Sequence, residues 1–347
     1  MLEAILGRTG LRVNKDGFGA LPVQRTSMEE ATVLLRRALD GGFNFFDTAR
    51  AYTDSEEKLG AAFGGRRNDF ILATKTQAKK AEDFWKDLET SLGNLKTGHI
   101  DIYQFHNPGF CPKPGDGTGL YEAALKAREQ GKIRFIGITN HRLAVAREAV
   151  ESGLYDTLQF PFNYLSDEKE QGLVRYCEEK NVGFICMKAL SGGLITDVAA
   201  SRTWLADFKN AVPIWGIQRE NELDALFAAR KGEPQGGLVL SAEQRRRIET
   251  DRAELAGHFC RACDYCQPCP AEITISTCAR MFLLLRRMPY QQFLTGGFQK
   301  EMAKIENCIH CGHCKDNCPY GLDTPALLER NLADYREFLK EHQGTVS

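Results

Sequence analysis

The sequence predicts an α/β protein: a (β/α)8 TIM barrel followed by a smaller, mainly helical domain. Eight short apolar runs alternate with amphipathic stretches at intervals of roughly 25–30 residues, as parallel strands alternate with helices. No Gly-x-Gly-x-x-Gly turn follows the first run, so an open doubly wound sheet is the weaker alternative. Eight of the 12 cysteines fall in two tight runs between Cys260 and Cys318, and these distinguish the second region from the first.

A small hairpin at residues 6–13, with a turn at Thr9 and Gly10, is predicted before the barrel. We expect the barrel strands at residues 17–23, 43–47, 70–75, 100–106, 133–140, 157–163, 183–190 and 211–218. We expect the barrel helices at residues 27–41, 55–63, 82–95, 120–129, 144–151, 167–180, 196–209 and 221–230. Ser27 with Glu30 three residues later predicts a capping box at the first of these helices.

The barrel is predicted to occupy residues 1–240, and the second domain residues 241–347. Residues 231–239 are rich in Gly and Pro, a composition typical of a linker. Further helices are expected at residues 241–256, 278–287 and 325–342, the first of them opened by a capping box of Ser241 and Gln244.

Composition excludes several classes of function. The chain has 347 residues, 43% of them hydrophobic, and 45 Lys and Arg balance 46 Asp and Glu to a net charge of -1. This balance favours neither nucleic acid nor an anionic membrane surface as a partner. The longest apolar runs break at arginines before the ~18–20 residues that a bilayer span needs. The first residues include Glu3 and Arg8 and lack a basic-then-apolar leader, so we expect a cytoplasmic protein.

Three of the predicted strands end in three different ionisable side chains. They are Asp47, Lys75 and His106, and Tyr52 follows the first of them in a polar, turn-like segment. Catalytic groups of a (β/α)8 barrel lie at the carboxyl ends of its strands. A strand-terminal acid by itself more often caps the next helix, but three such ends together indicate an active site.

Five motifs in order along the chain carry a family resemblance. They are the opening Leu6-Gly7-Arg8-Thr9-Gly10-Leu11, Asp47-Thr48-Ala49 with Tyr52 and Ser55-Glu56, Thr74-Lys75-Thr76, Tyr103-Gln104-Phe105-His106, and Gly-Lys-Ile-Arg-Phe-Ile-Gly-Ile-Thr-Asn-His at residues 131–141. Together they resemble the aldo-keto reductase family over about residues 1–230.

The resemblance implies reversible hydride transfer between NADP or NAD and a small carbonyl or alcohol substrate. It implies that Tyr52 is the proton donor, that Lys75 and Asp47 tune it, and that His106 orients the substrate oxygen. A free tyrosine titrates near ~10, so we expect the adjacent Lys75 ammonium to lower the pKa of Tyr52 by stabilising its phenolate.

The resemblance also implies two groups of cofactor-binding residues. Thr139, Asn140 and Gln159 stand where the family holds the nicotinamide carboxamide. The residues that stand where it receives the adenosine half are Gly216, Gln218, Arg219 and Glu222. Only Arg219 among these could meet a 2′-phosphate, so NADP versus NAD stays open. Thr53 stands where the family usually has a glycine after the tyrosine.

Two cysteine runs predict iron–sulfur clusters. Cys260-x2-Cys263-x2-Cys266-x2-Cys269-Pro270 is separated by 38 residues from Cys308-x2-Cys311-x2-Cys314-x3-Cys318-Pro319. The second run matches the ferredoxin ligand pattern, including the proline after its fourth cysteine. A zinc site needs only two such pairs and gives no reason for a third cysteine, and disulfides are not expected in a cytosolic chain.

By the ferredoxin rule, the fourth cysteine of each run ligates the other cluster. This rule predicts two [4Fe-4S] clusters, one on Cys260, Cys263, Cys266 and Cys318, and one on Cys308, Cys311, Cys314 and Cys269. The first run has two residues rather than three before Cys269, and Cys278 is the less favoured alternative. The whole chain resembles the iron–sulfur branch of the aldo-keto reductases, with a helical ferredoxin-like domain after the barrel.

Three interpretations of function remain open from the sequence. The first is an NAD(P)-dependent oxidoreductase whose clusters exchange electrons with a ferredoxin or flavodoxin-like carrier. The second has the same hydride chemistry with clusters that only brace the fold. The third is a module that senses NAD(P) without turnover, against which the intact set of Tyr52, Lys75, Asp47 and His106 argues.

Overall fold

The computed structural model describes residues 2–231, 238–255, 259–288 and 290–342. The chain divides into two units, one made of Met1–Ala189 and Asp197–Arg246, the other of Leu190–Thr196 and Arg247–Ser347. The predicted limits 1–240 and 241–347 remain predictions. Most of the predicted linker at residues 231–239 lies outside the described residues, because positions 232–237 are not among them.

Eight parallel strands close into a barrel, which confirms the predicted fold class. An antiparallel hairpin of β1 (Glu3–Ile5) and β2 (Arg12–Asn14) precedes them. The barrel strands are β3 (Gly17–Gly19), β4 (Phe45–Asp47), β5 (Ile71–Thr76), β6 (Ile100–His106), β7 (Ile133–Thr139), β8 (Thr157–Pro161), β9 (Gly183–Met187) and β10 (Ala211–Gly216). Each strand pairs with its neighbours in sequence, and β10 pairs with β3 to close the ring.

The hairpin lies at the end of the barrel where the strands begin. Gly7 bridges Val182, the residue before β9, and adopts a left-handed φ of +50°. A Cβ at Gly7 would lie 2.3 Å from the backbone nitrogen of Gly183, so only glycine fits there. Leu6 and Val13 are fully buried in one cluster with side chains from the barrel strands. The hairpin therefore fills this end with apolar side chains.

Helices follow the strands as predicted, with small shifts at their ends. Those of the first unit are α1 (Met28–Asp40), α2 (Ser55–Ala62), α3 (Ala81–Asn94), α4 (Leu120–Glu129), α5 (Leu143–Ser152), α6 (Glu168–Glu179), α7 (Val198–Ala206) and α8 (Glu220–Lys231). The Ser27 hydroxyl accepts from the Glu30 amide at 3.1 Å, and the Glu30 carboxylate accepts from the Ser27 amide at 2.8 Å. This capping box is the predicted one.

The first barrel strand is shorter than the predicted run at residues 17–23. It ends at Gly19, and Pro22–Arg25 forms a turn of 3-10 helix. Proline has no amide hydrogen to donate to a strand ladder, and it suits the first turn of a helix instead. The apolar run therefore continues past the end of the strand.

The second unit is built from helices around one apolar core, which confirms its predicted helical character. The helices are α9 (Ala242–Leu255), which begins in the first unit, α10 (Ile275–Cys278), α11 (Met281–Arg287), α12 (Gly296–Ala303), α13 (His313–Asp316) and α14 (Thr324–Glu341). The predicted pairing of Ser241 with Gln244 is present at the start of α9. Met281, Met302 and Leu328 are among the core residues. None of the helices in the described ranges has the length and apolarity to cross a membrane.

Candidate active site and cluster-binding cysteines

Neighbouring strands bring the predicted catalytic residues together. Asp47 ends β4, Lys75 is the second-last residue of β5, and His106 ends β6. These three strands are successive neighbours in the barrel, and parallel pairing aligns their carboxyl ends at one rim. Tyr52 lies in the loop between β4 and α2, with its amide donating to the Ala49 carbonyl at 3.0 Å.

A buried ion pair lies at the centre of this group. Lys75 Nζ is 2.5 Å from Asp47 Oδ1 and donates to the Thr48 carbonyl at 2.6 Å. The two side chains are 1% and 2% exposed. Burial raises the pKa of the Asp47 carboxyl, and the Lys75 charge is the largest influence opposing that rise. Removing one partner of such a pair leaves an uncompensated buried charge, which costs about 3–5 kcal/mol.

Tyr52 packs against both the ion pair and the histidine. The Lys75 ammonium lies 5.1 Å from the centroid of the Tyr52 ring. The His106 ring meets Tyr52 edge-on, with the ring centroids 5.6 Å apart. The phenol therefore contacts a cation and an imidazole in one small volume.

The pKa of Tyr52 differs in direction from the sequence-based expectation. Burial raises it above its usual value, and the Lys75 ammonium lowers it by less than burial raises it. The sequence identified the neighbouring cation, but it could not show how far the hydroxyl is removed from water. At neutral pH the Tyr52 hydroxyl accordingly keeps its proton, as a proton donor must.

His106 is uncharged at neutral pH. Burial, followed by the nearby Lys75 charge, lowers the pKa of His106 to about 3. Its Nδ1 atom is buried and has no hydrogen-bond partner among the described residues. A neutral imidazole has one N–H donor and one acceptor nitrogen, so His106 can donate a single hydrogen bond to a substrate oxygen.

Gln104 stands in one of the motifs quoted from the sequence but was given no role there. Its Nε2 donates to Asp47 Oδ2 at 3.2 Å and to Gln159 Oε1 at 3.0 Å. It thereby links the ion pair to one of the predicted nicotinamide-binding residues. A signal was present: Gln104 stands two positions before His106 in the same strand, and side chains two apart face the same side.

Glu56 was quoted as part of a motif but given no role. It is 1% exposed. One carboxylate oxygen accepts from the Thr74 hydroxyl at 2.7 Å, and the other from Arg50 Nη1 at 2.7 Å. Glu56 thus fixes the residue before Lys75 and the loop that leads to Tyr52. In that loop Thr53 adopts φ +36°, a left-handed conformation unusual for a β-branched residue.

Two of the predicted carboxamide partners, Thr139 and Asn140, lie at the end of β7, and Gln159 lies in the middle of β8. Thr139 ends β7, and Asn140 follows it with its amide donating to the Gln159 carbonyl at 3.0 Å. Thr139 Oγ1 accepts from the Asn107 amide at 3.0 Å. All three predicted residues are buried, with Asn140 fully so. The Thr139 hydroxyl and the side-chain amides of Asn140 and Gln159 therefore lie on or directly after two neighbouring strands, and the Asn140 amide donates to the Pro108 carbonyl at 2.8 Å.

The predicted adenosine-binding segment follows β10. Gly216 ends that strand, and Glu222 lies in the first turn of α8. Glu222 Oε2 accepts from the amides of Gln218 and Arg219 at 2.8 and 3.1 Å, and Glu222 Oε1 lies 3.8 Å from Arg219 Nη1. A carboxylate therefore occupies the amides that a helix start offers to an anion.

The second cysteine run surrounds a cavity together with one cysteine of the first run. Four cysteines line it: Cys269, Cys308, Cys311 and Cys314. No group of three or more His, Cys, Asp or Glu that could hold a metal ion is found in the described part of the chain. A cubane presents its irons at separate corners, so it fits thiols arranged around a space better than a single ion does.

The first run brings three further thiols near one another. Burial, then the charges of Cys260, Asp264 and Cys263, raises the pKa of Cys266 to about 12. Cys318 is half-buried and packs against the same apolar core as Cys260 and Cys266.

The remaining cysteines are buried thiols without a neighbouring run. Cys278 is fully buried in the core of the second unit and contacts the Glu301 carbonyl. Burial raises the pKa of Cys111 to about 11 and also raises those of Cys177 and Cys186. These four thiols resist ionisation, as expected of core residues.

Comparisons with known proteins identify the families that the two regions of the chain match. The model of the aldo/keto reductase family matches residues 16–212, which include the strands that carry Asp47, Lys75 and His106. The chain belongs to the aldo/keto reductase family. The model of a 4Fe-4S dicluster domain matches residues 259–323 of the chain, which include both cysteine runs.

Three relatives indicate how far the similarity extends. The chain is 33% identical over 211 residues to L-galactose dehydrogenase of Arabidopsis thaliana, covering 55% of this chain and 66% of that protein. It is 31% identical to the aldo-keto reductase YhdN of Bacillus subtilis, and the match covers 65% of this chain and 76% of that protein. The structure of aldo-keto reductase AKR11C1 from Bacillus halodurans superposes with a TM-score of 0.61 at 22% identity, covering 72% of this chain and 96% of that one. This similarity supports the fold.

We expect His106 to stay neutral between pH 5 and 8. Its pKa in the folded protein is about 3, against ~6.5 for a free histidine. As pH falls, the unfolded chain therefore binds a proton at this histidine before the folded chain does. The contribution of neutral His106 to the free energy of unfolding is complete above pH ~6.5 and is lost as pH falls towards ~3. Imidazole NMR shifts, assigned with His106→Asn, should show no titration of His106 in this range. A midpoint near 6.5 would contradict the prediction.

Proposed function

We propose that this aldo/keto reductase transfers a hydride between NAD(P) and a small carbonyl or alcohol substrate. The observation that carries the proposal is the buried Lys75–Asp47 ion pair, whose Lys75 Nζ lies 5.1 Å from the centroid of the Tyr52 ring. Neutral His106 packs edge-on against the same ring. The arrangement combines a protonated phenol, a fixed cation and a neutral hydrogen-bond donor. These are the groups that a carbonyl oxygen needs when it gains a proton.

The strand ends beside this group fit a nicotinamide. Thr139, Asn140 and Gln159 offer a hydroxyl and amide groups suited to a carboxamide, and Gln104 joins Gln159 to Asp47. A reduced nicotinamide bound there supplies the hydride. The protein's part is to hold the ring beside the substrate and to exclude water.

Each catalytic side chain then has one role. Tyr52 donates its hydroxyl proton to the substrate oxygen. Lys75 stabilises the phenolate that remains, and Asp47 holds the ammonium in place through the 2.5 Å contact. His106 donates a hydrogen bond to the same oxygen and so limits its orientations. In the direction of alcohol oxidation the phenolate accepts the proton instead.

Replacing Tyr52 with Phe should lower turnover by about 10²–10⁴-fold, the contribution of a positioned proton donor. The ring and its packing remain, so binding of the reduced nucleotide, followed by fluorescence, should not change. Turnover is measured anaerobically on a panel of carbonyls and polyols.

Tyr121→Phe is the matched control, because the Tyr121 hydroxyl donates to the Leu154 carbonyl at 2.7 Å and takes no part in the proposed chemistry. It should keep wild-type turnover. Wild-type rates in Tyr52→Phe would refute the proposed donor. A wild-type protein that binds nucleotide but turns over nothing on the panel would favour the sensing interpretation.

We also propose that the site prefers NAD to NADP. Glu222 already accepts from the Gln218 and Arg219 amides and lies 3.8 Å from Arg219 Nη1. A 2′-phosphate at this helix start would compete with that carboxylate for the same donors. It would also meet a like charge, which disfavours binding.

Glu222→Gln should raise the affinity for NADP relative to NAD by about tenfold, or ~1.4 kcal/mol. The glutamine oxygen can still accept from the amides, but the repulsive charge is gone. Glu220→Gln is the control, since Glu220 lies in the same turn and pairs with Arg37 at 2.9 Å. Dissociation constants for both nucleotides decide the matter. An unchanged ratio in Glu222→Gln would exclude this role.

The cysteine domain supports a second, one-electron function. We propose two [4Fe-4S] clusters, one on Cys308, Cys311, Cys314 and Cys269 and one on Cys260, Cys263, Cys266 and Cys318. When bound, they supply single electrons. Cys311 is exposed, and Ile309 beside it is 66% exposed, so the cavity of the second run lies at the protein surface. A surface position suits exchange with a ferredoxin or flavodoxin-like carrier.

Cys269→Ala should lower the iron and sulfide content of the anaerobically purified protein towards half. It removes one of the four thiols that line the cavity of the second run. Electron exchange with a viologen should fall with it. Cys278→Ala removes a core thiol outside that cavity and should keep full iron content. Equal iron in wild type and Cys269→Ala would exclude Cys269 as a ligand.

A further inference from the structure

Arg280 is a partly buried cation in the second unit that neither proposed reaction uses. It lies between α10 and α11, and its Nη2 donates to the Gly192 carbonyl at 2.8 Å. Gly192 adopts a left-handed φ of +64°, which favours glycine, and a Cβ there would lie 3.2 Å from that nitrogen, a tight contact. Arg280 Nε is buried without a hydrogen-bond partner among the described residues. An unfilled buried donor on a charged group is costly, which points to an acceptor that completes it.

The first cysteine run supplies the negative groups that act on Arg280. Burial lowers the pKa of the guanidinium, and the Cys260 thiol and then the Asp264 carboxyl raise it. Cys260 packs against the same apolar core that contains Ala279 and Met281, the neighbours of Arg280 in sequence. A guanidinium stays charged in proteins, so a fixed positive charge lies beside this run.

The second cysteine run has no equivalent cation in its cavity. Apolar residues line that cavity with Cys269, Cys308, Cys311 and Cys314, together with His310 and His313. No Lys or Arg is among the lining residues, all of which belong to the described ranges. The two runs therefore offer a bound cluster different electrostatic surroundings.

We propose that Arg280 raises the reduction potential of the cluster held by Cys260, Cys263 and Cys266. The inference rests on the proposed binding of clusters. Reduction adds one negative charge to a cluster that four thiolates already make anionic. A cation fixed beside it stabilises the reduced form more than the oxidised form, and net charge and hydrogen bonds to sulfur are known determinants of cluster potential.

Asp264, in the same cysteine run, provides a second test in which the reduction potential should shift in the opposite direction. Its carboxyl acts on both Arg280 and Cys266. Asp264 adopts a left-handed φ of +60°, which asparagine tolerates well. Asp264→Asn therefore removes one negative charge without demanding a new backbone conformation, and it should raise the potential that Arg280→Gln lowers.

The experiment is an anaerobic redox titration of the full-length, cluster-loaded protein, followed by electron paramagnetic resonance. Arg280→Gln should lower one midpoint potential by an amount that corresponds to at least a tenfold change in the reduction equilibrium, 59 mV for one electron. The other midpoint should stay within error of the wild type. Asp264→Asn should raise the same midpoint.

Arg286→Gln is the matched control, because Arg286 lies in α11 and pairs with the Asp334 carboxylate at 2.6 Å. It should change neither potential. Arg280→Lys keeps the charge and should keep the wild-type potentials. If Arg280→Gln does not hold both clusters, Asp264→Asn carries the test, and unchanged potentials in that variant overturn the inference.

Two further outcomes are decisive. Unchanged potentials in a fully loaded Arg280→Gln, or equal shifts of both midpoints, overturn the role of Arg280 while leaving the clusters themselves established. A wild-type protein without iron, sulfide or a paramagnetic signal after reduction refutes the cluster proposal instead. Iron content thus separates failure of the proposed function from failure of this inference.

Discussion

The candidate active site depends on one buried ion pair. Lys75 and Asp47 are almost fully removed from water, and their charges are tolerable only because they meet at 2.5 Å. Thr48 and Gln104 accept and donate the additional hydrogen bonds that the pair requires. Parallel pairing of β4 with β5 brings the two residues to the same rim of the barrel. The fold therefore supplies the geometry, and the pair supplies a cation that solvent cannot screen.

Much of the barrel and of the candidate active site could be predicted from the sequence, because both follow from local patterns. Apolar runs that end in Asp47, Lys75 and His106 specify strands and their carboxyl ends together. Ser27 and Glu30 specify a helix start because their side chains and backbone amides are only three residues apart. Such signals need no knowledge of distant contacts.

Other features depend on burial, which the sequence does not state. The pKa of Tyr52 rises because removal from water outweighs the Lys75 charge, and only the folded chain shows that balance. Gln104 is unremarkable as one polar residue in an apolar strand until its partners, 57 and 55 residues away, are known. Glu56 likewise gains its role from Thr74, which is 18 residues distant.

Cys269 lines a cavity whose other three thiols lie beyond residue 307. If one cluster were held by both Cys269 and Cys308, the 38 residues that separate them would form a closed loop. A cross-link that closes a loop of this length lowers the entropy of the unfolded chain. In the chain-entropy description used for disulfides, this raises the free energy of unfolding by about 4 kcal/mol. The inorganic core would then act as a staple for α10, α11 and α12, and the cohesion of these short helices would vary with the supply of iron and sulfide.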